Sequence, residues 1–360
     1  MNPDIAPHKY VRARHIHLAE SLTDKVKIYL DTKYWILFRD VTLGREQDQS
    51  LVDLLRVIRD AVLSGQVICP ISQDSFSECF VQDDAATLKA TVQLMDQLSL
   101  GICLTEFNTR INAELWHFMI EKAKGKDAVI ERRMLMWTKA GYVLGYVEPE
   151  SEIFSKDQSN AVKKAIFDQL WEATFLDIFD GIGSCPDWKV KPNAIDSMNE
   201  GKFASNGDFS SFKELFMIEL AGGLELLQEP LSEILFQMYL SEYGKNTDPN
   251  CKPEPEAGKQ AANIIYHAFR LNKISDELPT LRTHIALHAA LRWDRQRKYK
   301  PNDLYDLRHA AMALPYCDVF LTEKPLCHLI HEKHSGITDQ LPCKSFSDAN
   351  VALEHINNLI

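Results

Sequence analysis

Two short apolar segments that each end in an acid, one near either end of the chain, constrain this sequence more than any other feature. The first is Lys27-Ile-Tyr-Leu-Asp31, and the second is Asp318-Val-Phe-Leu-Thr322 followed by Glu323. Both have the length and β-branched or aromatic content of buried strands. After the first, Leu51, Leu54, Leu55, Ile58 and Val62 recur at helical spacing until Ser64-Gly65 stops the helix. Gln66 to Cys69 then reads as a second strand ended by Pro70, and Ser72 opens another helix through Glu78 and Phe80. Strand, helix, strand is the start of a parallel sheet, because parallel neighbours need a long crossover.

The same pattern returns late. A helix over Asp303 to Leu314, a strand after Asp318, a helix over Pro325 to His334 and a last strand over Cys343 to Phe346 lead to a final helix capped by Ser347. Between about Asp84 and Arg297 the pattern is nearly all helical, with apolar stripes over Thr87–Leu98, Ile111–Lys122, Asn160–Phe179, Ser211–Leu227 and Gly258–Leu271. Cys185–Asp208 and Gly244–Gly258 read as loops, and no internal repeat is visible. The expected fold is therefore α/β, assembled from both chain ends. It divides into an N-terminal arm (1–25), a first α/β half (26–83), a large all-helical insertion (84–299) and a second α/β half (300–360).

A chain of 360 residues with 45% hydrophobic and 25% charged residues can bury a core without disulfides, which excludes a disordered or collagen-like protein. The eight cysteines form no CxxC pair, so a zinc knuckle is not expected. The opening residues lack the apolar core of a signal peptide. The most apolar helical stretch, Phe212 to Tyr243, is interrupted by Glu214, Glu219, Glu225, Glu229 and Glu233, so no membrane span is expected. A cytoplasmic protein with reduced cysteines is the default expectation. A net charge of -11 argues against coating nucleic acid by bulk charge, but leaves room for a local basic strip.

The acids carry the chemistry. Asp31 and Glu323 lie at strand C-terminal ends and, if the strands are parallel, project from one sheet edge, where open α/β sheets bind ligands. Asp303 and Asp306 share a helix face, and Glu78 sits on the helix after the second strand. Carboxylates gathered from separate elements stay ionised together only beside cations, and oxygen ligands suit Mg²⁺ or Mn²⁺. Each has a plainer reading. Asp303 can cap its helix, Asp306 can favour the helix dipole, and Glu78 can be an exposed helix residue. Asp318 precedes its strand and reads as a turn residue on the opposite edge. Arg292, Arg295, Arg297, Lys298 and Lys300, interleaved with Trp293 and Tyr299, form a strip suited to phosphates and base stacking, or else a solvated helix face. No Walker or GxGxxG motif is present.

Tyr29-Leu-Asp31-Thr-Lys-Tyr-Trp35, followed by Cys69-Pro-Ile-Ser-Gln-Asp-Ser-Phe-Ser-Glu78, resembles the opening of PIN-domain nucleases. Asn302-Asp-Leu-Tyr-Asp-Leu-Arg-His-Ala-Ala-Met-Ala313 and Asp318-Val-Phe-Leu-Thr-Glu-Lys324 resemble their closing half. The resemblance covers roughly 26–80 and 300–346. It implies a three-layer α/β/α sandwich with a parallel sheet and a Mg²⁺- or Mn²⁺-dependent endoribonuclease acting in toxin, defence or RNA-processing roles. Asp31, Glu78, Asp306 and Glu323 fall on the family's catalytic, metal-holding acids. Asp303 is an added candidate ligand, and Thr32, Thr322 and His309 are candidates to steady the acids by hydrogen bonds. The partner implied is RNA, with a protein partner or second copy of the chain as a further candidate through the insertion. The sequence departs from the family at Lys33, where Asn or Ser is usual, and at Glu323, where Asp is usual. Lys33 leaves open a degenerate module that binds RNA or protein without cutting. It also counts against a haloacid-dehalogenase-type phosphohydrolase, which needs a second Asp there.

Overall fold

In the computed structural model, which describes residues 5–81, 84–146, 154–181, 192–205, 207–244, 251–274 and 276–360, the chain is mostly helical (68%) around a small parallel sheet. The strands are β1 (Val26–Leu30), β2 (Val67–Ile68), β3 (Ile102–Leu104), β4 (Trp137–Lys139), β5 (Val319–Leu321) and β6 (Lys344–Phe346). The sheet runs in the order β2-β1-β5-β6, with every pair parallel. The two acid-ended segments are therefore direct neighbours, with Ile28 beside Val319, Tyr29 beside Phe320 and Leu30 beside Leu321.

Helices α1 (Pro7–Glu20), α2 (Thr32–Thr42), α3 (Gln49–Leu63), α4 (Gln73–Phe80), α5 (Ala85–Ser99) and α6 (Phe107–Lys124) come first. Those that follow are α7 (Lys156–Trp171), α8 (Phe175–Gly181), α9 (Pro192–Ala204), α10 (Phe212–Leu226), α11 (Gln228–Tyr243) and α12 (Pro255–Arg270). The last are α13 (Pro279–Trp293), α14 (Pro301–Ala313), α15 (Lys324–Ile330), α16 (Ile337–Gln340) and α17 (Ala349–Asn357).

Strand side chains alternate between faces, and that alternation divides the core. Ile28, Leu30, Val67, Val319 and Leu321 pack with α2, α3, α5 and α17. Tyr29, Ile68 and Phe320 pack with α6, α13 and α14, and the same cluster continues into Leu220 of α10, Leu231 of α11 and Ala261 of α12. The helical middle thus shares a continuous apolar core with one face of the sheet. That core is sealed by a buried carboxylate. Glu114 of α6 accepts the Thr280 backbone N–H on both oxygens at 3.1 Å, together with the Tyr316 hydroxyl. Thr280 lies in the first turn of α13, so Glu114 supplies an acceptor and a negative charge to that helix N-terminus from another element.

Several sequence expectations are corrected. The middle is not purely helical: β3 and β4 form an antiparallel hairpin, and Cys103 bridges to Ile71 beside β2. The first α/β unit therefore runs on through α5 and β3, past residue 83. The arm at 1–25 contains helix α1, whose Tyr10 hydroxyl bonds Asp168 of α7 at 2.7 Å. Asn160–Phe179 is two helices, α7 and α8. Of the loop at Cys185–Asp208, residues 185–191 and 206 lie outside the described residues and 192–204 is helix α9. Of the loop at Gly244–Gly258, residues 245–250 lie outside, and α12 already begins at Pro255, with proline in its first turn. Asp348, not Ser347, caps α17, accepting the Asn350 and Val351 N–H groups.

Helices α11 and α12 meet backbone to backbone at Gly258, where an added Cβ would stand 2.0 Å from the Gln228 carbonyl oxygen. Gly258→Ala should therefore lower stability by about 1–3 kcal/mol through overpacking. Gly222→Ala in α10, with nothing within 4 Å, should be neutral or slightly stabilising. Thermal melts of both variants check the contrast, and equal melting points would show that the helices separate freely.

A candidate carboxylate site at the sheet edge

Asp31 and Glu323 leave the C-terminal ends of β1 and β5 on one edge, as the parallel pairing requires. Asp31 is 4% exposed; its Oδ1 accepts the Tyr34 N–H at 3.2 Å, capping α2, and its Oδ2 accepts the Glu323 N–H at 3.0 Å. The side chain of Glu323 is exposed at the start of α15. Helix α4 brings Glu78 to the same edge, because Ser72 caps that helix through the Ser75 N–H and Glu78 follows a turn and a half later. Helix α14 brings Asp306 and His309.

His309 is buried and links the elements. Its Nδ1 lies 2.6 Å from the Tyr29 hydroxyl and its Nε2 2.7 Å from Glu78 Oε2. Thr32 Oγ1 donates to the same Glu78 oxygen at 2.5 Å, and the Tyr29 hydroxyl lies 2.6 Å from Ser72 Oγ. This chain of hydrogen bonds ties β1, α2, α4 and α14 together. Burial opposes charge on His309, yet Tyr29, Glu78 and Asp74 hold its pKa well above the usual value. Burial pushes Glu78 up, but the hydrogen bond and charge of His309, with Thr32, bring it below the usual carboxylate range. Burial raises Asp31 against the opposing Thr322 hydroxyl and His309.

Asp306 differs from the others. Burial, together with the neighbouring charges of Asp31, Glu323 and Glu78, lifts it to about 7 against the relief from His309. The four acids expected from the sequence therefore act on one another electrostatically, and the cluster carries negative charge that His309 offsets only in part. That donor set, oxygen-rich and undercompensated, fits a hard divalent cation. Among the described residues no three His, Cys, Asp or Glu groups already stand together as a ready ligand shell.

The structure places other candidates elsewhere. Asp303 is 4% exposed and engaged, with Oδ1 2.7 Å from Arg297 Nη2 and Oδ2 accepting the Lys300 N–H at 2.7 Å. It locks the entry to α14, as the plainer capping reading expects. Asp318 accepts the Lys27 N–H at 2.7 Å on the opposite edge, as a turn residue should. Lys33 is exposed. Thr322 is fully buried beside Asp31.

The basic strip is largely used for structure. Arg292 forms a close ion pair with Glu219 and bonds Ser205 Oγ. Arg297 holds Asp303. Arg295 reaches the Phe209 carbonyl at 3.4 Å and lies over the Phe209 ring. Tyr299 is buried and presents no stacking face, and the half-buried Trp293 packs on Phe209 and Phe212. Lys298 and Lys300 are exposed.

Sequence reasoning missed Tyr29, Ser72 and Asp74. Tyr29 had a signal: it lies two residues before Asp31, so strand alternation puts both on one face. Asp74 had one too, four residues before Glu78 on the same helix face. Comparison of the chain with protein-family models, curated proteins and solved structures finds no match. Among the described residues no helix is long and apolar enough to cross a membrane.

Proposed function

We propose that the protein is a divalent-metal-dependent nuclease of PIN-like architecture, acting as an endoribonuclease. The observation that supports this reading is the electrostatic coupling of Asp306 to Asp31, Glu323 and Glu78 at the C-terminal edge of a parallel sheet, where burial and those charges lift its pKa to about 7. Asp31, Asp306 and Glu323 are the residues that would hold Mg²⁺ or Mn²⁺, with Glu78 joining from the His309 hydrogen bond. A bound ion would supply Lewis-acid activation of a phosphodiester and of water. The chain's own contribution is positional: Thr32, Tyr29 and His309 fix Glu78, and the Glu323 and Tyr34 amides fix Asp31. Asp306 takes up or releases a proton near neutrality. Arg295, Lys298 and Lys300 lie in the segment leading into the acid-bearing helix and supply local positive charge against the overall -11.

A second reading has one observation in its favour. Glu78 is already satisfied by His309 and Thr32, as it would be in a module that binds RNA without cutting it.

Cleavage of a mixed single-stranded RNA should require Mn²⁺ or Mg²⁺ and stop in EDTA. Isothermal titration should show Mn²⁺ binding that weakens as pH falls below 7, since Asp306 must lose its proton to ligate. Undiminished cleavage after exhaustive chelation would exclude the metal reading, and Mn²⁺ binding without cleavage would favour the binding module.

A further inference from the structure

One cavity opens directly beside the acid edge. It encloses about 340 Å³ between α4, α13 and α14, within the range of small-molecule sites. Asp74 and Ser77 of α4, His284 and His288 of α13 and Arg308 of α14 line it, with Leu144 at one side. The cavity and the acid site share two helices: Asp74 lies one turn before Glu78 on α4, and Arg308, which lines the cavity, stands between Asp306 and His309 in the sequence of α14.

Two buried polar atoms on residues that line this cavity lack partners. Asp74 is 3% exposed; its Oδ1 has only a long 3.4 Å contact with Arg308, and its Oδ2 has no hydrogen bond. Nδ1 of His284 is likewise buried without a partner. Leaving such groups unsatisfied is costly, and native proteins keep few of them without a purpose. Burial and the neighbouring His288 and Arg308 hold His284 well below its usual pKa, so it offers a neutral imidazole rather than a counter-charge for Asp74. The rings of His284 and His288 meet at 4.5 Å, and Phe107 packs against His284 at 4.9 Å, giving one wall an aromatic character.

We infer that this cavity is a nucleobase subsite that selects guanine next to the cleaved phosphate. The inference rests on the nuclease reading for its neighbour but on separate residues. Burial raises the pKa of Asp74, and N–H donors on its vacant oxygen would stabilise the carboxylate against that cost. Guanine presents two adjacent ones, at N1 and N2, and carries acceptors at O6 and N7 that suit an imidazole N–H. Adenine and cytosine offer one amino group beside a ring acceptor. Uracil flanks its single N–H with carbonyls that would face the carboxylate. Arg308, half-exposed at the cavity side, is placed to take a phosphate of the bound nucleotide when it releases its long contact with Asp74.

The test uses GMP, AMP, CMP and UMP titrated into the full chain in EDTA, so that binding is read without metal or cleavage. GMP should bind at least tenfold more tightly than the other three. Asp74→Asn, which replaces the vacant acceptor with a donor, should weaken GMP at least tenfold. Leu144→Trp narrows the cavity from an exposed position and should weaken GMP as well; it decides the matter if Asp74→Asn fails to fold by circular dichroism. Equal affinity for all four nucleotides, or a folded Asp74→Asn that holds GMP like the wild type, would overturn the subsite. RNA cleavage with Mn²⁺ but no GMP binding also overturns it while leaving the nuclease reading intact. Selective GMP binding without any cleavage supports the subsite and removes the nuclease reading.

Discussion

Asp306→Asn should abolish metal-dependent RNA cleavage and at the same time raise the melting temperature measured in EDTA. The two effects have one origin. In the folded chain Asp306 holds its proton up to about pH 7, because it is buried and faces Asp31, Glu323 and Glu78, whereas an unfolded aspartate releases it near 4. Between those values the folded state binds more protons than the unfolded state. Stability therefore falls as pH rises from about 4 to 7 and stays lowered above 7. Asparagine keeps the shape and removes the charge that repels its neighbours. The gain should be on the order of 2 kcal/mol at pH 8 and should vanish near pH 4. Added Mn²⁺ should raise the wild-type melting point and leave the variant's nearly unchanged, since binding to the native state alone stabilises it. A variant that melts below wild type at pH 8 in EDTA would mean that Asp306 is a structural residue and that the acids do not strain the fold.

Glu114→Ala should be the most damaging single change outside the acid site, costing about 3–5 kcal/mol. It strips the acceptor from the Thr280 N–H and the Tyr316 hydroxyl at once, both in fully buried surroundings. It also withdraws negative charge from the neighbourhood of Arg110, which is itself completely buried. Arg110 bonds the Met312 and Thr105 carbonyls and lies over the face of the Tyr316 ring. Glu114→Gln keeps an acceptor for Thr280 and should cost less than half as much. Urea denaturation distinguishes the two. If both variants unfold at the wild-type midpoint, water replaces the carboxylate and the helical middle does not depend on it.

The elements that hold the acids were legible because each left a periodic trace. The apolar run ending at Asp31, the Ser72-capped helix carrying Glu78 and the Asp-x-x-His helix carrying Asp306 all fell where the pattern put them. The β3–β4 hairpin was not legible, since strands of three residues within Ile102–Leu104 and Trp137–Lys139 are too short to show alternation against helical flanks. Helix α9 hid behind Gly, Asn and Ser, residues that favour loops unless tertiary packing overrides them. The structural partners of Asp303 and Arg292 were hidden for another reason. Whether a charge faces solvent, a ligand or another charge depends on what the fold brings opposite it, and Glu219 lies 73 residues from Arg292. Asp74 was passed over because its spacing from Glu78 marks a shared helix face but not whether that face is buried.

The hydrogen bond between Glu323 and Asp31 joins residues 292 positions apart, and β1 finds β5 only across that same span. On a ribosome, this means that Asp31 and Glu78 are made long before Glu323 and wait while the residues between them follow. Until the residues after 318 emerge, β1 has no β5 beside it, and neither Asp306 nor Glu323 has reached the edge. Loop closure over such a distance makes this pairing a late event in folding as well as in synthesis. A nascent or prematurely terminated chain thus carries half a site. Assembly of the acid edge is therefore withheld until the residues of β5 have been made, by chain topology alone.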